Sequence, residues 1–160
     1  LNPYSIAKVA GEDLIKMYSE IYGLESIIFR YFNVYGERQP LMGVYAPVIG
    51  LFIKQMKKGE KMTVVGTGNA RRDFTHVSDV VEANILAAEK SLLDSYKILN
   101  IGSGKNYSIM DIAKMIGGPF KFIPSRKGEA KETLACIKTA NQYLGWKPKI
   151  NLEEWIEKNK

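Results

Sequence analysis

Apolar residues recur at helical spacing along the start of the chain: Ile6, Val9, Ala10, Leu14, Met17, Tyr18 and Ile21. The pattern predicts a helix over 3–22, opened by Pro3 and ended by Gly23. The β-branched and aromatic run SIIFRYFNV (26–34) reads as one buried strand that stops at Tyr35–Gly36. After the loop ERQPLMG (37–43), APVIGLFIKQMKKG (46–59) reads as an amphipathic helix closed by Gly59. KMTVVG (61–66) predicts a short strand, and GTGNAR (66–71) a loop. SDVVEANILAAEK (78–90) reads as an alanine-rich helix with Ser78 as its N-cap. KILNIG (97–102) is a strand, and Ser108 with Asp111 forms a capping box for the helix that follows. FKFIP (120–124) is a strand, TANQYLGW (139–146) a short helix stopped by Gly145, and Asn151 caps the last helix, NLEEWIEKN.

This alternation of helices and strands argues an α/β fold without internal repeats. Only 26–34 and 97–101 read as buried parallel strands, too few for a complete doubly wound sheet. The chain is therefore expected to be a piece of a larger fold.

At 160 residues the chain can bury one real core. Its 46% hydrophobic and 25% charged residues place it in the globular class. A single cysteine, Cys136, and a single histidine, His76, exclude an internal disulfide framework and a Cys/His metal cluster. Among apolar neighbours in LACIKTA, Cys136 is expected to be buried. His76, with Asp73 and Asp79 nearby, is expected to pack or to cap rather than to catalyse. No apolar run approaches the length of a membrane span, and the first residues do not read as a signal peptide. A cytoplasmic location is the expectation. The net charge of +6 favours anionic ligands. Its basic residues are scattered rather than arranged in a stripe, which suits a nucleotide diphosphate better than a nucleic acid.

Three stretches carry candidate chemistry. Tyr4 and Lys8 stand one helical turn apart on one face. A tyrosine titrates near ~10 and is a poor base at neutral pH, but a neighbouring ammonium favours the phenolate. The couple can then accept a hydroxyl proton as hydride leaves the same carbon, although many helices hold such a pair by chance. RYFNVYGERQ (30–39) puts Asn33 and Arg38 at the C-terminal end of a strand, where ligands of α/β sheets sit; ordinary turn chemistry is the alternative. In GTGNARRDFTHVSDVV (66–81), Gly66-x-Gly68 lacks the helix that a dinucleotide fingerprint requires. Arg71 and Arg72 can grip phosphate oxygens there, unless the stretch is simply a solvated loop. NIGSGKN (100–106) lacks the ending of a P-loop.

In order, PYSIAK, FRYFNVYGERQ, GVYAPVIGLF, VVGTGNARRDFTHVSDVVEA, LNIGSG and SRKGEAKETLACIKTANQYLGWKP resemble the extended short-chain dehydrogenase/reductase superfamily, in its nucleotide-sugar epimerase/dehydratase branch (UDP-glucose 4-epimerase-like). The resemblance spans essentially the whole chain. It implies the C-terminal part of a Rossmann-type doubly wound fold plus a small α/β substrate-binding domain, with the dinucleotide-binding part upstream. Residues 1–36 and about 73–105 would belong to the Rossmann-type part, and about 37–72 and 106–160 to the nucleotide-sugar part.

The resemblance also implies roles. Tyr4 would be the catalytic base, and Lys8 would tune it while holding the nicotinamide ribose. Tyr31 would lie against the cofactor, NAD, and Asn33 against the sugar nucleotide. Pro47, Val48 and Phe52 would pack around the nucleotide base, Arg72 would bind the diphosphate, and Arg126 and Glu129 would close over phosphate and ribose. Hydride would leave sugar C4 to NAD and return to the other face of a turned keto intermediate. The implied partners are a UDP-sugar and a second copy of the chain, with no nucleic acid, membrane or metal. Glu37 stands where the family commonly has proline, Thr67 and Glu129 where it has aspartate, and Cys136 where it has a helix-capping aspartate. A related dehydratase or decarboxylase, or a non-catalytic nucleotide-sugar binding module, remains an alternative, and the isolated chain is expected to be inactive.

Overall fold

The computed structural model describes residues 3–41, 43, 46–90, 96–125 and 128–160. The first helix, α1 (Pro3–Tyr22), has the predicted bounds and ends at Gly23, whose φ of 68° supplies the left-handed turn. The run 26–34 is not one strand. It divides into β1 (Ser26–Tyr31) and β2 (Asn33–Tyr35), which belong to different sheets. β1 pairs in parallel with β5 (Tyr96–Ile101), and the Phe32 N–H closes that ladder on the Ile101 carbonyl at 3.0 Å. One residue later Asn33 is in register with Phe74 of β4 (Arg71–His76). Nor is β1 buried: Ser26–Phe29 are half-buried, and Arg30 and Tyr31 are exposed.

β4 lies at the centre of the second sheet, between β2 and the antiparallel β6 (Asn106–Ser108). Its sequence, RRDFTH, has one apolar residue, so no hydrophobic pattern announces it, yet five of its six residues are buried. Most of its buried polar side chains find partners inside, Arg72 on Glu129, Asp73 on Ser103, Gly104 and Ala135, and His76 Nδ1 on the Ser78 N–H, whereas Thr75 Oγ1 has none among the described residues. A third pair, β3 (Met62–Val65) with β7 (Phe120–Ile123), is parallel.

Two apolar clusters result. The first joins Tyr35 and Phe74 to α2 (Val48–Lys57), β3, α4 (Ile109–Ile116) and α6 (Leu152–Asn159). The second packs Leu99 and Ile101 of β5 against α3 (Val77–Ala88), α5 (Lys138–Leu144) and Trp146. Asp79 ties the C-terminal segment to α3. Its carboxylate accepts the backbone N–H groups of Lys149 and Ile150, and its carbonyl accepts the Trp146 indole N–H at 2.9 Å.

The caps divide between expected and unexpected. Ser108 and Asp111 form the predicted reciprocal box at α4, Asn151 caps α6, and Gly145 ends α5 with φ 70°. The cap of α3 is His76 rather than Ser78: its Nδ1 accepts the Ser78 N–H at 3.2 Å. Cys136, expected inside, is exposed, because the inward position is taken by Ala135. It is not the cap of α5 either, since Ile137 holds that place without a side-chain bond. Among the described residues, no helix is long and apolar enough to cross a membrane.

Candidate functional site

Helical spacing puts Tyr4, Lys8 and Glu12 on one face of α1. That face and the end of β1 enclose an open groove of about 450 Å³, which Arg30 and Tyr31 also line. Tyr4 is 71% exposed, and the Lys8 ammonium lies 5.4 Å from the centre of its ring. The phenol and the ammonium thus share one helix face, with the tyrosine open to solvent. Across the groove, the Arg30 guanidinium forks onto both oxygens of the Glu12 carboxylate, with Nε to Oε1 at 2.7 Å. Those hydrogen bonds hold the Glu12 carboxyl below its usual range. Tyr31 turns its hydroxyl to Asn84 of α3, donating to Oδ1 at 3.0 Å, while the Asn84 amide donates to the Val80 carbonyl. Its ring stacks on Phe29, 5.7 Å between centres.

The other candidates gather on the second sheet. Alternation along β4 and the register with β2 put Arg72, Phe74 and Asn33 on one face. Arg72 is 9% exposed, and its guanidinium donates to the Arg71 carbonyl at 2.8 Å and to Glu129 Oε1 at 3.0 Å. Glu129 also lines a cleft of about 470 Å³ with residues 65–70, Ser125 and Lys131. Arg71 takes the opposite side of the strand, away from Arg72. Its guanidinium is bound to Asn106 by two bonds of 2.8 Å and lies 3.7 Å from Asp111. Pro47 stands at the N-cap of α2, and Val48 packs on the first cluster. Phe52 is fully buried within that cluster, so its contribution to any base site is to support it from beneath. Arg126 lies outside the described residues.

Sequence reasoning missed Asp73, which is fully buried. Its carboxylate accepts four bonds of 2.7–3.0 Å, from Ser103 N and Oγ, Gly104 N and Ala135 N. It therefore braces, next to Arg72, the loops after β5 and before α5. It also missed Glu12 and Arg30. Glu12 was legible in principle as the third member of a four-residue spacing, but Arg30 was not, because its place depends on how β1 crosses α1. Glu37 accepts the Trp155 indole N–H at 2.9 Å, which holds its carboxyl low. It lies 3.4 Å from the His76 Nε2, beyond a hydrogen bond.

An exposed phenol and ammonium at a strand's C-terminal end can hold a ribose. The glycine loop at 66–68, by contrast, leads into strand β4 rather than into a helix, so it offers no helix N-terminus to a pyrophosphate.

The profile described as the NAD dependent epimerase/dehydratase family matches residues 1–102. A putative UDP-glucose 4-epimerase of Methanocaldococcus jannaschii is 41% identical over 99% of this chain and 52% of its own. A UDP-N-acetyl-alpha-D-glucosaminuronate decarboxylase of Bacillus cytotoxicus is 42% identical over 71% of this chain and 34% of its own. The crystal structure of UDP-glucuronic acid 4-epimerase from Bacillus cereus, in complex with UDP-glucuronic acid and NAD, superposes with a TM-score of 0.89. It is 32% identical, over 99% of this chain and 51% of that one. The chain spans about half the length, or less, of these relatives.

Proposed function

We propose, for a chain that belongs to the NAD dependent epimerase/dehydratase family, that it is the C-terminal half of a nucleotide-sugar 4-epimerase and carries the acid–base couple and the diphosphate site. The observation that carries this reading is the groove in which Tyr4, Lys8 and Tyr31 meet, beside a sheet face that presents Asn33 and Arg72. NAD, when bound, supplies the hydride acceptor for sugar C4. Lys8 and Tyr4 hold the ribose end, and the Lys8 charge lowers the cost of a phenolate at Tyr4, which takes the proton of the C4 hydroxyl. Asn33 and Arg72 hold the UDP portion, with Arg72 leaving its bond to Glu129 for the diphosphate and Glu129 turning to the ribose. The 160-residue chain alone does not turn over, since its residues fit only the nicotinamide end of the cofactor.

Calorimetry with UDP tests the binding half of the reading. The chain should bind UDP weakly, and Arg72→Ala should weaken it about 10- to 100-fold, the worth of a charge-assisted bond. Equal affinity in both proteins would count against it. Joined to the dinucleotide-binding half of a relative, the chain should interconvert UDP-hexoses, and Tyr4→Phe should slow this ~100-fold or more. A decarboxylase is a second reading, favoured by the Bacillus cytotoxicus relative. Release of carbon dioxide from a UDP-uronate by the same fusion would select it.

A further inference from the structure

We propose that Glu12 and Arg30 are a positioning pair for the tyrosine–lysine couple: Arg30 commits the Glu12 carboxylate to β1, so that the Lys8 ammonium stays with Tyr4. The proposal rests on the reading of Tyr4 as the base.

Glu12 follows Lys8 by four residues on the face that lines the groove, and residues so placed are natural ion-pair partners. A Lys8–Glu12 pair would draw the ammonium a turn further from Tyr4 and cancel the charge that favours the phenolate. Arg30 prevents this by occupying both carboxylate oxygens in a planar fork. The Glu12 side chain is 14% exposed and the Arg30 side chain 51%, so the carboxylate sits beneath its partner and away from solvent. With that charge engaged, Lys8 Nζ faces the Tyr4 ring. The ionisable groups facing the groove are then Tyr4, Lys8 and Glu12 from α1, and Arg30 and Tyr31 from β1. The fork also joins α1 to β1, which fixes the helix rotation that points Tyr4 into the groove.

The titration of Tyr4, followed by NMR in the 160-residue chain carrying ¹³C-labelled tyrosine and assigned with Tyr4→Phe, tests this. Arg30→Met should raise the Tyr4 pKa by ~0.2–0.7 of a unit, the worth of an exposed ion pair. Adding Glu12→Gln to Arg30→Met should return it toward the wild-type value, although both proteins have lost the fork. A merely structural fork would lower stability in both and leave the nuclear Overhauser contact between the Tyr4 ring and the Lys8 side chain as in wild type, even where loss of the Arg30 charge alone moves the titration. An unmoved Tyr4 in Arg30→Met, with Lys8→Met still raising it, overturns the positioning role alone. If Lys8→Met leaves Tyr4 unmoved, the tyrosine–lysine couple itself fails, and this inference with it. Should Arg30→Met not fold, Arg30→Lys, which keeps the charge without the fork, is read by the same two outcomes.

Discussion

The buried Asp73 carboxylate accepts from one hydroxyl and three backbone N–H groups. Asp73→Asn would turn an amide N–H₂ toward N–H groups that have nowhere else to donate. The loss expected is on the order of 3 kcal/mol, because several buried donors are left unsatisfied. Urea unfolding, with an unchanged slope, is the measurement. Gly102 shows how tightly the loops close there: a Cβ on it would lie 2.2 Å from the Ala135 Cβ and 3.0 Å from Asp73 Oδ2. Gly102→Ala should therefore also destabilise, by roughly 1–3 kcal/mol of overpacking. Asp73 adjoins Arg72 in the chain and Gly102 packs on Asp73, so both substitutions should weaken UDP binding along with stability. Asp73 reads in the sequence only as an acid near a histidine, since its four partners come from segments 30 to 62 residues away.

At the scale of elements, the capping box of α4 makes the sharpest prediction. Ser108→Ala should cost about 0.5–2 kcal/mol, measured by denaturant unfolding. Bonds from Ser108, its backbone N–H above all, hold the Asp111 carboxyl below its ordinary value of 3.8. A carboxyl with a depressed folded pKa contributes its full stability above that ordinary value and loses it as pH falls through the lower folded one. Wild type should thus lose stability relative to Asp111→Asn only in that acidic window, and the difference should be flat at neutral pH. This box was legible because both its members are local. So were α1 with its glycine stop, and α6 with its asparagine cap. β4 was not, because its partners are distant and its burial is polar. The division of 26–34 was not legible either: a continuous apolar run carries no mark of the point where its neighbour changes from β5 to β4.

For the whole molecule, the outer face of α1 is the outstanding surface. Ile6, Val9, Leu14, Tyr18, Ile21 and Tyr22 are each about half exposed or more, an apolar patch of the kind that marks an interface. The chain is expected to self-associate through it, and light scattering should show a dimer or larger species that Leu14→Glu with Ile21→Glu converts to monomer. A monomeric wild type would remove that expectation. The passage from β1 to β2 has a different consequence. Tyr31 is the last residue of β1 and Asn33 the first of β2, with Phe32 alone between them. Two residues of extended chain span about 6.6 Å. The interval between the residue proposed for the cofactor and the residue proposed for the sugar nucleotide is therefore set by covalent bonds. On that assignment the backbone itself would act as the ruler between the two bound molecules.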